Sequence, residues 1–108
     1  MNSRYLMIAA WGLFFLCQVA HCQTKSSETR LTANPVFINN CARCHGATAE
    51  GRHFRGPALI SEKVANASVD DLLKITTNGK GHMPKFGEKL TSDEINLLVQ
   101  QIKTLNKK

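Results

Sequence analysis

Beyond residue 22 the chain has no Trp, no Tyr and one Met, Met83, and its only Cys are Cys41 and Cys44. Two Cys separated by two residues cannot staple a fold, because so small a loop restricts the unfolded chain little. The lack of a second Cys pair counts against structural zinc, which takes four Cys or His ligands from two clusters. The remaining candidates, His53 and His82, lack the spacing of a zinc-ligand pair. No strand-like alternation, internal repeat or second domain is visible in the 108 residues. A domain this small commonly leans on a disulfide, metal or cofactor for stability.

The aromatic and sulfur residues missing from the body of the chain are concentrated at its start. Residues 6–20, LMIAAWGLFFLCQVA, are uncharged and almost wholly apolar, with Arg4 before them and QTKSSETR after them. A positive start, a short apolar core and a small-residue cleavage region have the layout of a secretory signal. Fifteen residues fall short of the roughly 20 that span a bilayer as a helix. Ala20 and Cys22 offer small residues for a cut before Gln23. A retained anchor and a mature chain beginning at a lipidated Cys22 are the alternatives. The domain reading is therefore a signal peptide at 1–22, a flexible lead-in at 23–33 and a folded domain at 34–108, exported to the periplasm.

Within that domain, Asn34-Pro35 is a helix-start signal with Asn as N-cap and Pro at the first position. It predicts a helix to about Arg43, with Val36, Phe37, Asn40 and Cys41 on one face. Three Gly and a Pro make residues 46–57 loop. SVDDLLKITTNG reads as a short Ser-capped helix ending at Asn78-Gly79. GKGHMPKFG is again loop. From Thr91 to about Leu105, T-S-D-E forms a capping box, followed by an apolar stripe of Ile95, Leu98, Val99, Ile102 and Leu105. These elements describe a small all-α domain with two long loops.

Cys41, Cys44 and His45 stand as C-x-x-C-H in NNCARCHGAT. A dithiol oxidoreductase places such a pair at a helix N-terminus within a βαβ unit. Here the pair falls at the end of its helix and no strand flanks it. Covalent c-type haem is the remaining reading. Two thioethers would attach to one edge of a porphyrin and the adjacent imidazole would reach the iron. Met83 lies in the polar Gly/Pro loop KGHMPKF, an odd place for a core-filling Met and a natural one for a sixth ligand. His82 beside it is the rival.

The run CARCHG, GPAL at residues 56–59, NGKGHMPKFG at 78–87 and the capped C-terminal helix resemble the small single-haem class I cytochromes c, of the bacterial and photosynthetic soluble type. The resemblance covers about residues 34–105. It implies three to four helices wrapped around one covalent haem c, with Cys41 and Cys44 as attachment points. His45 and Met83 would be the iron ligands. Pro57 would accept a hydrogen bond from the other ring nitrogen of His45. Leu59, Ile75 and Phe86 would pack on the haem, or simply fill the core, and Asn78 would support the Met loop by hydrogen bonding. Two departures stand out. The C-terminal stripe is aliphatic where the family usually has an aromatic, and RHFR at residues 52–55 makes the proximal loop unusually basic.

With both axial positions filled and no catalytic constellation, the expected function is one-electron transfer between redox proteins and not an enzyme activity. A haem subunit fixed to a dehydrogenase or oxidase is the alternative, as is a peroxidase or ligand sensor if Met83 is displaceable. After residue 22 there are 13 Lys and Arg against 8 acids. This basic surface would suit acidic docking patches on a partner. The cations are too dispersed for a nucleic-acid footprint. A monomer is expected, meeting membranes only through its partners or an uncleaved or lipidated N-terminus.

Overall fold

In the computed structural model of the chain, residues 30–107 are described. The leader at 1–22 and most of the lead-in lie outside the described residues. Helix α1 (Pro35–Asn40) starts where the Asn34 side-chain oxygen accepts from the Val36 amide at 2.9 Å and Pro35 has no N–H to leave unpaired. The helix does not run on to Arg43 in one piece. It breaks at Cys41, whose carbonyl accepts from both the Cys44 and His45 amides and so opens α2 (Ala42–His45).

Helix α3 (Glu62–Asn66) is capped by Ser61, which accepts from the Val64 amide. Its five residues are too few to show a period, and the sequence reading passed over it. Helix α4 (Val69–Asn78) carries a Ser68 cap and two acids in its first turn, where the helix dipole favours negative charge. Helix α5 (Ser92–Leu105) has the full capping box, with Thr91 and Glu94 each accepting from the other's backbone N–H. Among the described residues there is no strand; two isolated bridges, Arg52 with Gly56 and Lys80 with Met83, only close turns. Taking α1 and α2 as one interrupted helix, the architecture is four helices, all-α.

The lead-in needs a correction at its end. Leu31–Ala33 forms one 3-10 turn, and Leu31 is buried in the core beside Phe37, Ala49, Leu98 and Ile102. An isolated Leu in a polar stretch gives no periodic signal, yet burying it contributes about 1.5–3 kcal/mol. Phe37, only 1% exposed, is the aromatic of this core, set against α5 residues Leu98 and Ile102, both aliphatic. The terminal helices are also joined by a buried polar contact: the Asn34 amide donates to Gln101 Oε1 at 2.8 Å. Asn34 therefore caps α1 with its oxygen and ties it to α5 with its nitrogen.

The far end of α5 is bonded to the segments after the first loop. Lys103 Nζ donates to the carbonyls of Ala65 and Ala67, both at 2.7 Å, placing a cation at the C-terminus of α3. The Asn106 side chain accepts from the Ser61 amide and donates to the Leu59 carbonyl. Asn34→Ala should lower stability by about 2 kcal/mol through loss of cap and interhelical bond together. Asn34→Ser, which keeps a capping oxygen, should cost about half as much. Urea unfolding of the mature protein checks both values.

Candidate haem-binding site

The break at Cys41 turns the chain so that Cys41 and Cys44, both free thiols and both half-buried, sit a turn apart just before His45. Cys41 packs against the core together with Ala42, Leu59 and Leu72. The first helix pair, the loop behind it and α4 therefore meet around one apolar centre. Burial pushes the Cys41 thiol from its ordinary 9.0 up to about 11, and neighbouring Cys44 adds to the shift. That is the reverse of the lowered pKa that activates a dithiol oxidoreductase. Among the described residues, no three His, Cys, Asp or Glu side chains converge into a site for a bare metal ion.

His45 is buried, and its Nδ1 hydrogen-bonds the Pro57 carbonyl at 2.8 Å. A carbonyl only accepts, so Nδ1 carries a proton, and in the neutral ring this leaves the lone pair on Nε2, the form of imidazole that binds metals. The loop that brings Pro57 there is tightly bonded. The Gly51 amide donates to the His45 carbonyl and the Leu59 amide to the Ala49 carbonyl, with Ala49 fully buried at φ 62°. Gly56 passes so close to the helix that a Cβ would lie 2.8 Å from the Cys44 carbonyl oxygen. No larger residue fits without moving backbone.

Met83 is half-buried in a turn closed by paired bonds between its own N–H and C=O and those of Lys80. The turn hangs from the end of α4. Gly79, at φ 76°, ends that helix and donates to Ile75, while Phe86 and Gly87 donate to the Thr76 and Thr77 carbonyls. Three terminal carbonyls that a helix leaves orphaned are thereby satisfied by main-chain amides. This corrects the role read for Asn78, whose side chain is exposed and makes no hydrogen bond to the loop. His82 is exposed, and His53 lies on the exposed tip of the proximal loop.

Of the residues expected to pack on haem, Phe86 is 5% exposed, while Leu59 and Ile75 are half-buried. Helix α4 fully buries only Thr76, leaving Leu72, Leu73 and Ile75 half-buried in the protein alone. An apolar row of this kind, two thiols and an imidazole with its Nε2 lone pair free all fit a covalently held porphyrin. Sequence reasoning missed Asn106, which steadies the segment after Pro57. Its one visible signal was a polar residue closing the apolar stripe of α5.

A Cys41 thiol held neutral by burial does not suit disulfide exchange, and the described residues gather no cluster that would hold a bare zinc ion. Together with helices in this order, the two thiols and His45 make the molecule a c-type cytochrome of the small class I kind, with one covalent haem c as its iron cofactor. The chain belongs to the family described as cytochrome c oxidase, cbb3-type, subunit III, which matches residues 30–102. It is similar to a cytochrome c6 of Rippkaea orientalis (strain PCC 8801 / RF-1), 40% identical over 65 residues that cover 56% of each chain. It is also similar to the cbb3-type cytochrome c oxidase subunit CcoP of Rubrivivax gelatinosus, 29% identical over 96 residues, or 85% of this chain and 31% of that one. Among solved structures, cytochrome c6C from Synechococcus sp. PCC 7002 superposes with a TM-score of 0.58 at 30% identity, covering 70% of this chain and 94% of that one. The chain thus spans little more than half the length of the first relative and under a third of the second.

The raised Cys41 pKa has a consequence for the protein before haem attachment. Below pH 9 the thiol is neutral in folded and unfolded chains alike, and stability is full. Between pH 9 and about 11 the unfolded thiol ionises first, so stability falls with rising pH. Urea unfolding of the apoprotein should show this loss, and the Cys41→Ala apoprotein and the haem-loaded protein, which lack the thiol, should not.

Proposed function

We propose that the protein is an exported one-electron carrier whose covalent haem has His45 and Met83 as iron ligands. The observation that carries this reading is the 2.8 Å bond from His45 Nδ1 to the Pro57 carbonyl. When bound, haem c supplies a one-electron ferric/ferrous couple. Cys41 and Cys44 fasten it as thioethers, and His45 offers Nε2 in a fixed ring orientation. Met83 offers a soft, neutral thioether, which favours the reduced state and raises the potential. Phe86, Leu59 and Ile75 exclude water, which disfavours the more positive oxidised centre in the same direction.

The backbone supports this division of labour. Met83 is held by bonds on both its N–H and its C=O, and its loop is bonded to α4. A Met83 backbone fixed in this way keeps the residue in place as a lasting ligand, which favours a carrier over a peroxidase or ligand sensor. Similarity to proteins named cytochrome c6 and CcoP supports exchange with redox partner proteins, and the net positive charge suits acidic docking patches on them. The CcoP match over 85% of this chain favours a second reading, a haem subunit fixed to a larger oxidase. Persistence of a complex through high salt distinguishes that subunit from a diffusing carrier. Export rests on the leader at residues 1–22. Among the described residues, no helix is long and apolar enough to cross a membrane.

Optical spectra of the haem-loaded protein test the ligand set. The oxidised form should show the weak long-wavelength band of iron–methionine bonding, lost in Met83→Ala and kept in His82→Ala. Met83→Ala should also lower the reduction potential by roughly 0.1 V or more, within the ~0.8 V that axial ligands span. A band that survives Met83→Ala, or is missing from the parent, rules the His/Met assignment out.

A further inference from the structure

Residues 52–55, Arg-His-Phe-Arg, make a turn whose ends are bonded to each other. The Arg52 amide donates to the Gly56 carbonyl at 2.9 Å, and the Gly56 and Arg55 amides both donate back to the Arg52 carbonyl. Pinned this way, the turn holds Phe54 at φ 62°, a left-handed conformation that bulky residues rarely adopt. The fold gains little from that side chain. It is 97% exposed, and its ring neighbour is His53, 4.1 Å away between centroids. Glycine would take the same backbone without strain.

Arg52 and Arg55 are exposed, and among the described residues neither forms a salt bridge, the one such pair being Lys85 with Glu88. Arg52 exerts only a minor pull on the exposed Glu50, whose carboxylate is engaged mainly by Thr48. The turn also stands beside the thioether positions. Gly56, which closes it, lies against the Cys44 carbonyl, and its Cβ position is 3.3 Å from Cys44 Cβ.

We infer that this turn is the docking tip for an acidic redox partner, with Phe54 entering an apolar hollow and Arg52 and Arg55 pairing with carboxylates at its rim. The inference rests on the electron-carrier reading. A central aromatic flanked by arginines has the composition of protein–protein hot spots, and the guanidinium fork matches carboxylates. A polybasic membrane anchor would need about four to eight clustered cations, more than the turn carries. A tip beside Cys44 would also bring its partner close to the attached haem.

The test uses the haem-loaded mature protein at an electrode bearing a mixed carboxylate- and methyl-terminated monolayer, which imitates an acidic rim around an apolar hollow. Phe54→Gly and the double variant Arg52→Glu/Arg55→Glu should each slow electron exchange about tenfold or more, with spectrum and midpoint potential unchanged. Phe54→Gly should melt at or above the parent temperature, since it relieves the left-handed strain. Lys63→Glu/Lys107→Glu, the same charge change placed elsewhere, should keep the parent rate within about twofold. A parent-like rate in Phe54→Gly, or equal slowing by the Lys63/Lys107 control, overturns the inference. So does a result in which the loop variants lose only binding to phosphatidylglycerol vesicles, which would assign the turn to a lipid surface. A parent protein without a reversible one-electron wave overturns the carrier reading itself, and this inference with it.

Discussion

His45 can present Nε2 to a metal only while Nδ1 keeps its proton, and the Pro57 carbonyl 2.8 Å away holds the proton there. Delivering that carbonyl constrains much of the chain. The loop after His45 must double back at once, which it does through the bond from Gly51 to His45 and the buried left-handed Ala49. It must then pass the helix at a distance only Gly56 permits. Beyond Pro57, Leu59 is bonded to Ala49 on one side and Asn106 on the other. Asn106 follows α5 directly, and α5 is tied through Gln101 to Asn34, the cap of the helix that leads to His45. The histidine and its brace are thus linked by a closed circuit of bonds through both terminal helices.

The same economy governs the methionine side. A helix end leaves carbonyls that need donors, and a loop leaves amides that need acceptors. The chain satisfies both by laying residues 86–87 against Thr76 and Thr77. The loop is therefore joined to α4 by main-chain bonds, with buried Phe86 beside them. A core of eight buried apolar residues, Leu31, Phe37, Ala49, Phe86, Ile95, Leu98, Val99 and Ile102, is small for a domain of this length. Half-buried Leu59, Leu73 and Ile75 would give a porphyrin apolar surface to cover, so that holding the cofactor and completing the fold would draw on the same residues.

What could be read from the sequence follows from how local each interaction is. The caps at Asn34, Ser68 and Thr91 act within three residues, and the α5 stripe repeats over four turns, so these elements were legible. The 3-10 turn at Leu31 and the five residues of α3 are too short to carry a period. The break at Cys41 leaves no mark on the apolar face that runs through it. Lys103 on the α3 carbonyls, Asn106 on Leu59 and Asn34 on Gln101 span 36 to 67 residues, and no pattern in the chain announces them. Asn78 was misjudged for a related reason: main-chain amides took the work assigned to its side chain. C-x-x-C-H named the chemistry, whereas the proline brace was suggested by resemblance and not by spacing.

A proton spectrum of the reduced, haem-loaded protein would show whether Met83 is the second iron ligand proposed beside His45. A methionine bound to haem iron lies in the ring current of the porphyrin, which shifts its methyl resonance far upfield. With Met83 the only methionine after residue 22, the account predicts one such methyl resonance, absent from Met83→Ala. A mature protein whose methionine methyl resonates at an ordinary position would contradict it.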